Sequence, residues 1–286
     1  MLKHVMKYEW KAVSRLLVLV HIAMLAFCAL AYATTSLLAQ KSGAFGVLST
    51  LFWVLYLLCI AVAAALTILV PAVRYYKSMY GEEGYLSHSI PAKTSTLILG
   101  RELVYLIWSL IDIFCILLPL VLGNWNDIIG AEGLPGLFSE FSRLAALAGA
   151  PLPLLLLYFF LFGLSLVVLE NLLAYFAISI GSYFSNHKGI ASVIAYILSG
   201  IATEVIGSLV LLASFAPYHN QFDIRVQAIS ADAQVTIGGY QFYQESIAFA
   251  RSMMHFSVIC FFIVIGFCAL FWSVSWYTAD KKMNLA

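Results

Sequence analysis

The chain is poor in charge. Aspartate, glutamate, lysine and arginine make up 10% of its 286 residues, against roughly a quarter in ordinary soluble domains. With 63% hydrophobic residues, the polar side chains cannot cover the apolar surface in water. A soluble globular domain, a disordered chain and a coiled coil are thereby excluded. The charges also nearly cancel: 15 basic against 14 acidic residues give a net +1, which carries no global signal for nucleic acid. Cysteine is sparse. Cys28, Cys59, Cys115, Cys260 and Cys268 all fall in apolar runs and form no CxxC pair, which argues against a disulfide framework and against zinc-ligand spacing. They read as small hydrophobes. Catalytic signatures are missing as well. GxxxxGK[ST], HExxH, GxSxG and GxGxxG do not occur, so the chain has no phosphate-binding loop and is not itself a P-loop ATPase. No nucleophile–base pair or metal cluster is legible, and the chain reads as binding no cofactor of its own.

What the sequence has is long apolar runs. A helix needs roughly 20 apolar residues to cross a hydrocarbon core about 30 Å thick. Six stretches qualify: 16–38, 46–72, 102–122, 151–180, 190–216 and 254–279. They are apolar on all sides rather than alternating, which argues against membrane strands. Pro71, Pro119, Pro151, Pro153 and Pro217 fall near span ends, where a missing N–H costs least. The expected fold is all-α: residues 1–286 form a single polytopic membrane domain with six transmembrane helices.

Lysine and arginine orient it. With the N-terminus inside, the inner segments hold Lys3, Lys7, Lys11, Arg15, Arg74, Lys77, Lys93, Arg101, Lys188, Lys281 and Lys282. The outer segments hold Lys41, Arg143, Arg225 and Arg251. Eleven against four predicts both termini on the cytoplasmic side. The first apolar run exceeds the about 7–15 residues of a signal-peptide core, so a retained segment is expected. Residues 1–15 form an amphipathic pattern. Lys3, Lys7, Lys11 and Arg15 recur every fourth residue, and Leu2, Val5, Met6, Trp10, Val13 and Leu17 lie opposite. This predicts an interfacial helix in the headgroup plane. Glu9 breaks the pattern from the apolar side; either it pairs with a neighbouring element or the helix packs on protein.

Between the second and third spans, 73–101 is a mixed inner loop, with Gly81, Gly84 and Pro91 as breakers and Tyr80, Tyr85 and Leu86 as exposed apolar groups. A short helix bearing aromatic and acidic residues there reads as a docking surface. Outside, 123–150 predicts a short helix ending near Gly149, and 217–253 is the largest polar stretch, with a helix expected over 240–253. Within the spans, Asp112, Glu170 and Glu204 stand out as acids. Such acids face protein or water. They are open to two readings: a cation or proton path, or interhelical hydrogen bonding with Glu170 and Asn171 as polar glue. No basic residue shares their spans, so no intramembrane ion pair is expected. His21 reads as hydrogen-bonded within the bundle.

The stretches KYEWKAVSRL (7–16) and VRYYKSMYGEEGYLSHSIPAKTSTLILGREL (73–103) resemble the permease subunit of type-2 ABC transporters, of the stand-alone kind found in Gram-positive bacteria. The likeness is sharp over those stretches and extends to the rest in topology. It implies a six-span permease in the bacterial plasma membrane that pairs with a second copy or a sister permease. A separate P-loop ATPase subunit would carry ATP and Mg. The interfacial helix, with Lys3, Lys7, Trp10, Lys11 and Arg15, would correspond to the connecting helix. Residues 79–90 would be the coupling helix, with Tyr80, Glu82, Glu83, Tyr85 and Leu86 docking on the ATPase. Ser185–Gly189 would be a smaller contact, and the segment before the sixth span would match the family's re-entrant helices. The expected function is export of a hydrophobic or amphipathic substrate: a peptide, an antimicrobial compound or a lipid. The alternative is a sensor, a scaffold or an ion channel using the intramembrane acids.

Overall fold

The structure is a computed structural model that describes residues 1–35, 43–81, 83–89, 92–123, 133–184, 187–215 and 239–281. Eight helices account for nearly all of them: α1 (Leu2–Ala33), α2 (Gly43–Met79), α3 (Gly84–Ser89), α4 (Thr94–Gly123), α5 (Gly133–Ala148), α6 (Leu152–Gly181), α7 (Lys188–Phe215) and α8 (Gly239–Lys281). The described residues contain no strand. Helices Leu2–Ala33, Gly46–Met79, Leu152–Gly181, Lys188–Ala213 and Met253–Lys281 are long and apolar enough to cross a membrane, the build of a polytopic membrane protein. The expected third span, 102–122, lies within α4, a 30-residue helix whose charged residues Arg101, Glu102 and Asp112 are all buried.

Several boundaries differ from the expected ones. Residues 1–15 and the first span form one unbroken helix of 32 residues, about 48 Å at 1.5 Å per residue. α2 passes through Pro71 instead of stopping there. A membrane helix tolerates proline when packing replaces the lost backbone bond, and the turns after Pro71 are pinned by Arg74 and Tyr75. Near the other end of the chain, the expected helix over 240–253 and the sixth span are one helix of 43 residues, with no re-entrant break. α5 ends as read from the sequence: Gly149 takes a φ of +77°, and Ala150 N–H bonds the Ala145 carbonyl at 3.1 Å. Such a left-handed cap favours glycine.

The chain divides into two compact units. One comprises 1–128, 170–196 and 270–286; the other comprises 129–169 and 197–269. In the first, α1 packs against α2 and α4. Its core has two apolar clusters. Val13, Leu17, Val104, Tyr105 and Trp108 form one; Met24, Cys28, Tyr56 and Cys115 form the other. The buried residues of α1 fall at 9, 13, 17, 20, 21, 24, 28 and 31, the three-to-four spacing of one helical face. Close approach sets the α1–α4 contact: a Cβ on Gly100 would lie 2.8 Å from Val5 Cγ1. In the second unit, Tyr158 and Phe162 of α6 meet Phe261 of α8 edge-on at 5.8 and 6.1 Å.

Candidate functional site

Buried polar groups in a membrane protein cost free energy unless they are paired. The first unit concentrates them in three places. The first is Glu9. It is 5% exposed, and its two carboxylate oxygens accept hydrogen bonds from Arg74 Nε at 2.7 Å and Arg101 Nε at 2.9 Å. The residue that breaks α1's amphipathic pattern therefore ties α1 to α2 and α4. Both open readings hold at once, since Glu9 is paired and its helix packs on protein. Lys3, Lys7, Lys11 and Arg15 are exposed on the other face. Trp10 stacks on Trp108 with ring centres 4.9 Å apart.

The second place is Asp112, in the middle of α4. His21 Nε2 of α1 lies 2.7 Å from Asp112 Oδ1, and Thr67 of α2 hydrogen-bonds Oδ2. No basic residue shares the span of Asp112, as read from the sequence, yet a histidine stands beside it. The partner sits on a different helix, where a search within one span does not reach. His21 is hydrogen-bonded in the bundle as expected: its Nδ1 is 2.6 Å from the Leu17 carbonyl oxygen.

The third place lies where α2 leaves the bundle. Tyr75 stacks on Tyr175 at 4.4 Å. The hydroxyls of Tyr75 and Tyr80 both lie 3.1 Å from Ser179 Oγ of α6. Glu102 accepts from Asn171 Nδ2 at 3.3 Å, and Thr94 donates to Asp280 Oδ1 at 2.9 Å. Burial pushes the Tyr80 hydroxyl well above the ordinary tyrosine range, so it serves as a neutral donor.

These contacts sort the expected docking residues. Tyr80, expected on the exposed surface, is 5% exposed and clasped to Ser179. That corrects its expected exposure: its aromatic ring fills the root of the loop. Glu83 is exposed, and Tyr85 is 73% exposed. Glu82 and the Leu86 side chain lie outside the described residues. The short helix expected within 79–90 is α3, Gly84–Ser89. Its first residue is tied to the segment after α2: Gly84 N–H bonds the Gly81 carbonyl at 2.9 Å. Of the proposed smaller contact, Ser185 and Asn186 lie outside the described residues, and Lys188 opens α7.

The intramembrane acids do not behave as a set. Asp112 is paired as above. Glu170 is exposed and accepts a hydrogen bond from Tyr196 of α7. Asn171 turns inward to Glu102, so the adjacent residues serve different partners. Glu204 belongs to the second unit and is exposed. Sequence reasoning missed Glu102 and the pairing of Glu9 with Arg74 and Arg101. A lone acid on the apolar face of one helix, with unpaired arginines at two span borders, was the available signal. Among the described residues no group of three or more His, Cys, Asp or Glu side chains can hold a metal ion. The chain matches no protein-family model, no curated protein and no solved structure.

Proposed function

We propose that this chain is the membrane-spanning subunit of an ATP-driven ABC exporter in the bacterial cell membrane. It works with a separate P-loop ATPase subunit, which binds ATP and Mg, and with a second permease copy or a sister permease. The observation that carries this reading is the contrast between α3 and its root. Glu83 and Tyr85 stand exposed on a short helical turn, while Tyr75 and Tyr80 just before it are buried against Ser179. An aromatic and an acid on the surface form an adhesive patch, because aromatic rings dominate interface energetics. A buried root lets force on that patch move α2 and α6 rather than merely bend a loop. Both termini and α3 then face the cytoplasm. Hydrophobic or amphipathic compounds suit so apolar a chain as substrates.

The test is co-purification of the tagged chain in mild detergent, followed by an ATP hydrolysis assay. A stoichiometric P-loop ATPase is expected. Glu82→Arg with Glu83→Arg should abolish its stimulation while leaving the chain's helicity and melting intact. Full stimulation by the folded double variant would remove α3 as the docking element. Repeated recovery of folded chain without any ATPase would end the exporter reading.

A further inference from the structure

The outward face of α1 changes character at one level. Lys3, Lys7, Lys11 and Arg15 recur every fourth residue and are exposed. The same face continues into Val18, Leu19 and Ile22, which are 43%, 66% and 63% exposed, while Val13 and Leu17 on the other face are buried. One stripe is therefore cationic over its first turns and aliphatic thereafter. Arg15 and Ile22 are about 10 Å apart along the axis. A groove of about 510 Å³ crosses this junction, and its described lining is Ser14, Arg15, Val18, Leu19 and Ile22. It has two polar side chains at one end and three aliphatic ones at the other.

The cations are not engaged within the described part of the chain. The acid nearest in sequence, Glu9, projects inward to Arg74 and Arg101. No ion pair among the described residues involves Lys3, Lys7, Lys11 or Arg15. A two-fold contact with a second copy through this face would set cationic stripe against cationic stripe, because such interfaces pair identical patches. The complement of this surface is a molecule that is anionic at one end and aliphatic at the other.

We propose that the groove binds an anionic phospholipid. Arg15 presents a planar fork that suits a phosphodiester. Ser14 adds a hydroxyl donor, Lys11 stands one turn away, and an acyl chain lies along Val18, Leu19 and Ile22. This rests on membrane embedding alone and stands whether or not the chain is an ABC subunit.

The full chain, extracted from vesicles of equal phosphatidylglycerol and phosphatidylcholine with matched acyl chains, would be examined by native mass spectrometry. One retained phosphatidylglycerol per chain is expected, favoured over phosphatidylcholine about tenfold, because each cation near an anionic surface adds attraction. Lys11→Gln with Arg15→Gln should bring that preference near unity. Arg15→Lys should keep most of it, and Lys93→Gln, an exposed cation outside α1, should keep all of it. Leu19→Trp fills the groove without changing charge and should cut retention several-fold. Equal retention of both lipids by the unaltered chain would overturn the proposal. So would a preference that survives the Lys11/Arg15 and Leu19 variants. Efficient disulfide crosslinking of two Leu19→Cys chains in phosphatidylglycerol vesicles would assign the face to a second copy instead.

Discussion

Asp112 sits where three apolar helices meet, and the proton accounting at that point is constrained by chemistry. The Leu17 carbonyl can only accept, so His21 Nδ1 must donate to it. Nε2 then faces Asp112 Oδ1 at 2.7 Å. Thr67 adds a third helix to the couple. Such groups are strongly coupled, so a double-mutant cycle should be far from additive. Asp112→Ala leaves His21 without its carboxylate and should destabilise by about 3–5 kcal/mol, the range for removing one partner of a buried pair. His21→Ala on top of it should cost little more. Additive losses, measured by thermal or SDS unfolding in micelles, would show that the two residues do not act as a couple. Glu9 teaches the same lesson. Its acidity was plain in the sequence, but its role depended on Arg74 and Arg101, which lie 65 and 92 positions away. Local pattern identified the exception on α1's apolar face; only packing supplied the partners.

At the scale of elements, helix existence was legible and helix ends were less so. Long apolar runs are helices in a bilayer because every backbone group must be satisfied within its own segment. That argument locates the runs without fixing their ends. Pro71 looked like an end and is not one, since Arg74 to Glu9 and Tyr75 to Ser179 hold the turns beyond it. Gly149 looked like an end and is one, because its positive φ is set by the helix cap itself. The α6–α7 connection shows what close approach demands. A Cβ on Gly181 would come within 2.6 Å of the Ser192 backbone nitrogen, far inside van der Waals contact. Gly181→Val should therefore force α6 and α7 apart, with a stability loss of about 1–3 kcal/mol typical of overpacking. Gly189→Val, at a position where an added Cβ meets nothing within 4 Å, is the control. Equal melting temperatures for the two variants would refute the close packing. The stretch 79–90 divides in the same manner. The sequence marked 79–90 as a unit, but Tyr80 belongs to the bundle and Glu83 and Tyr85 to the surface.

Across the whole molecule, apolar side chains face outward in numbers no water-soluble protein shows. On α7, Ile190, Val193, Ile194, Ile197, Leu198 and Ile201 are all more than half exposed, and none of the hydrophobic window of Lys188–Ala213 is buried inside the chain. These surfaces belong against lipid or another membrane helix. Polar groups gather inside the first unit, the inverse of a soluble fold. The topology read from lysine and arginine then has a direct consequence. Tyr85→Cys, exposed on α3, should react with a membrane-impermeant thiol reagent in inside-out vesicles and stay unreactive in intact cells, assayed in a chain whose five native cysteines are replaced by alanine. Labelling from outside intact cells would invert the expected orientation and end the proposed coupling role of α3.

Composition placed this chain in a membrane, with 10% charge and 63% hydrophobic residues, and its long apolar runs without alternation made it helical, because a helix satisfies every backbone group within its own segment. Periodicity determined which face of α1 is cationic and which is buried, since both repeat at the helical spacing. Tertiary structure alone decided that Glu9 joins three helices, that Asp112 meets His21, and that Tyr80 is buried against Ser179 rather than exposed on the loop. Those outcomes rest on contacts between residues distant in sequence. Burial makes each such contact compulsory for a polar group, but which partner meets it is a property of how the helices pack.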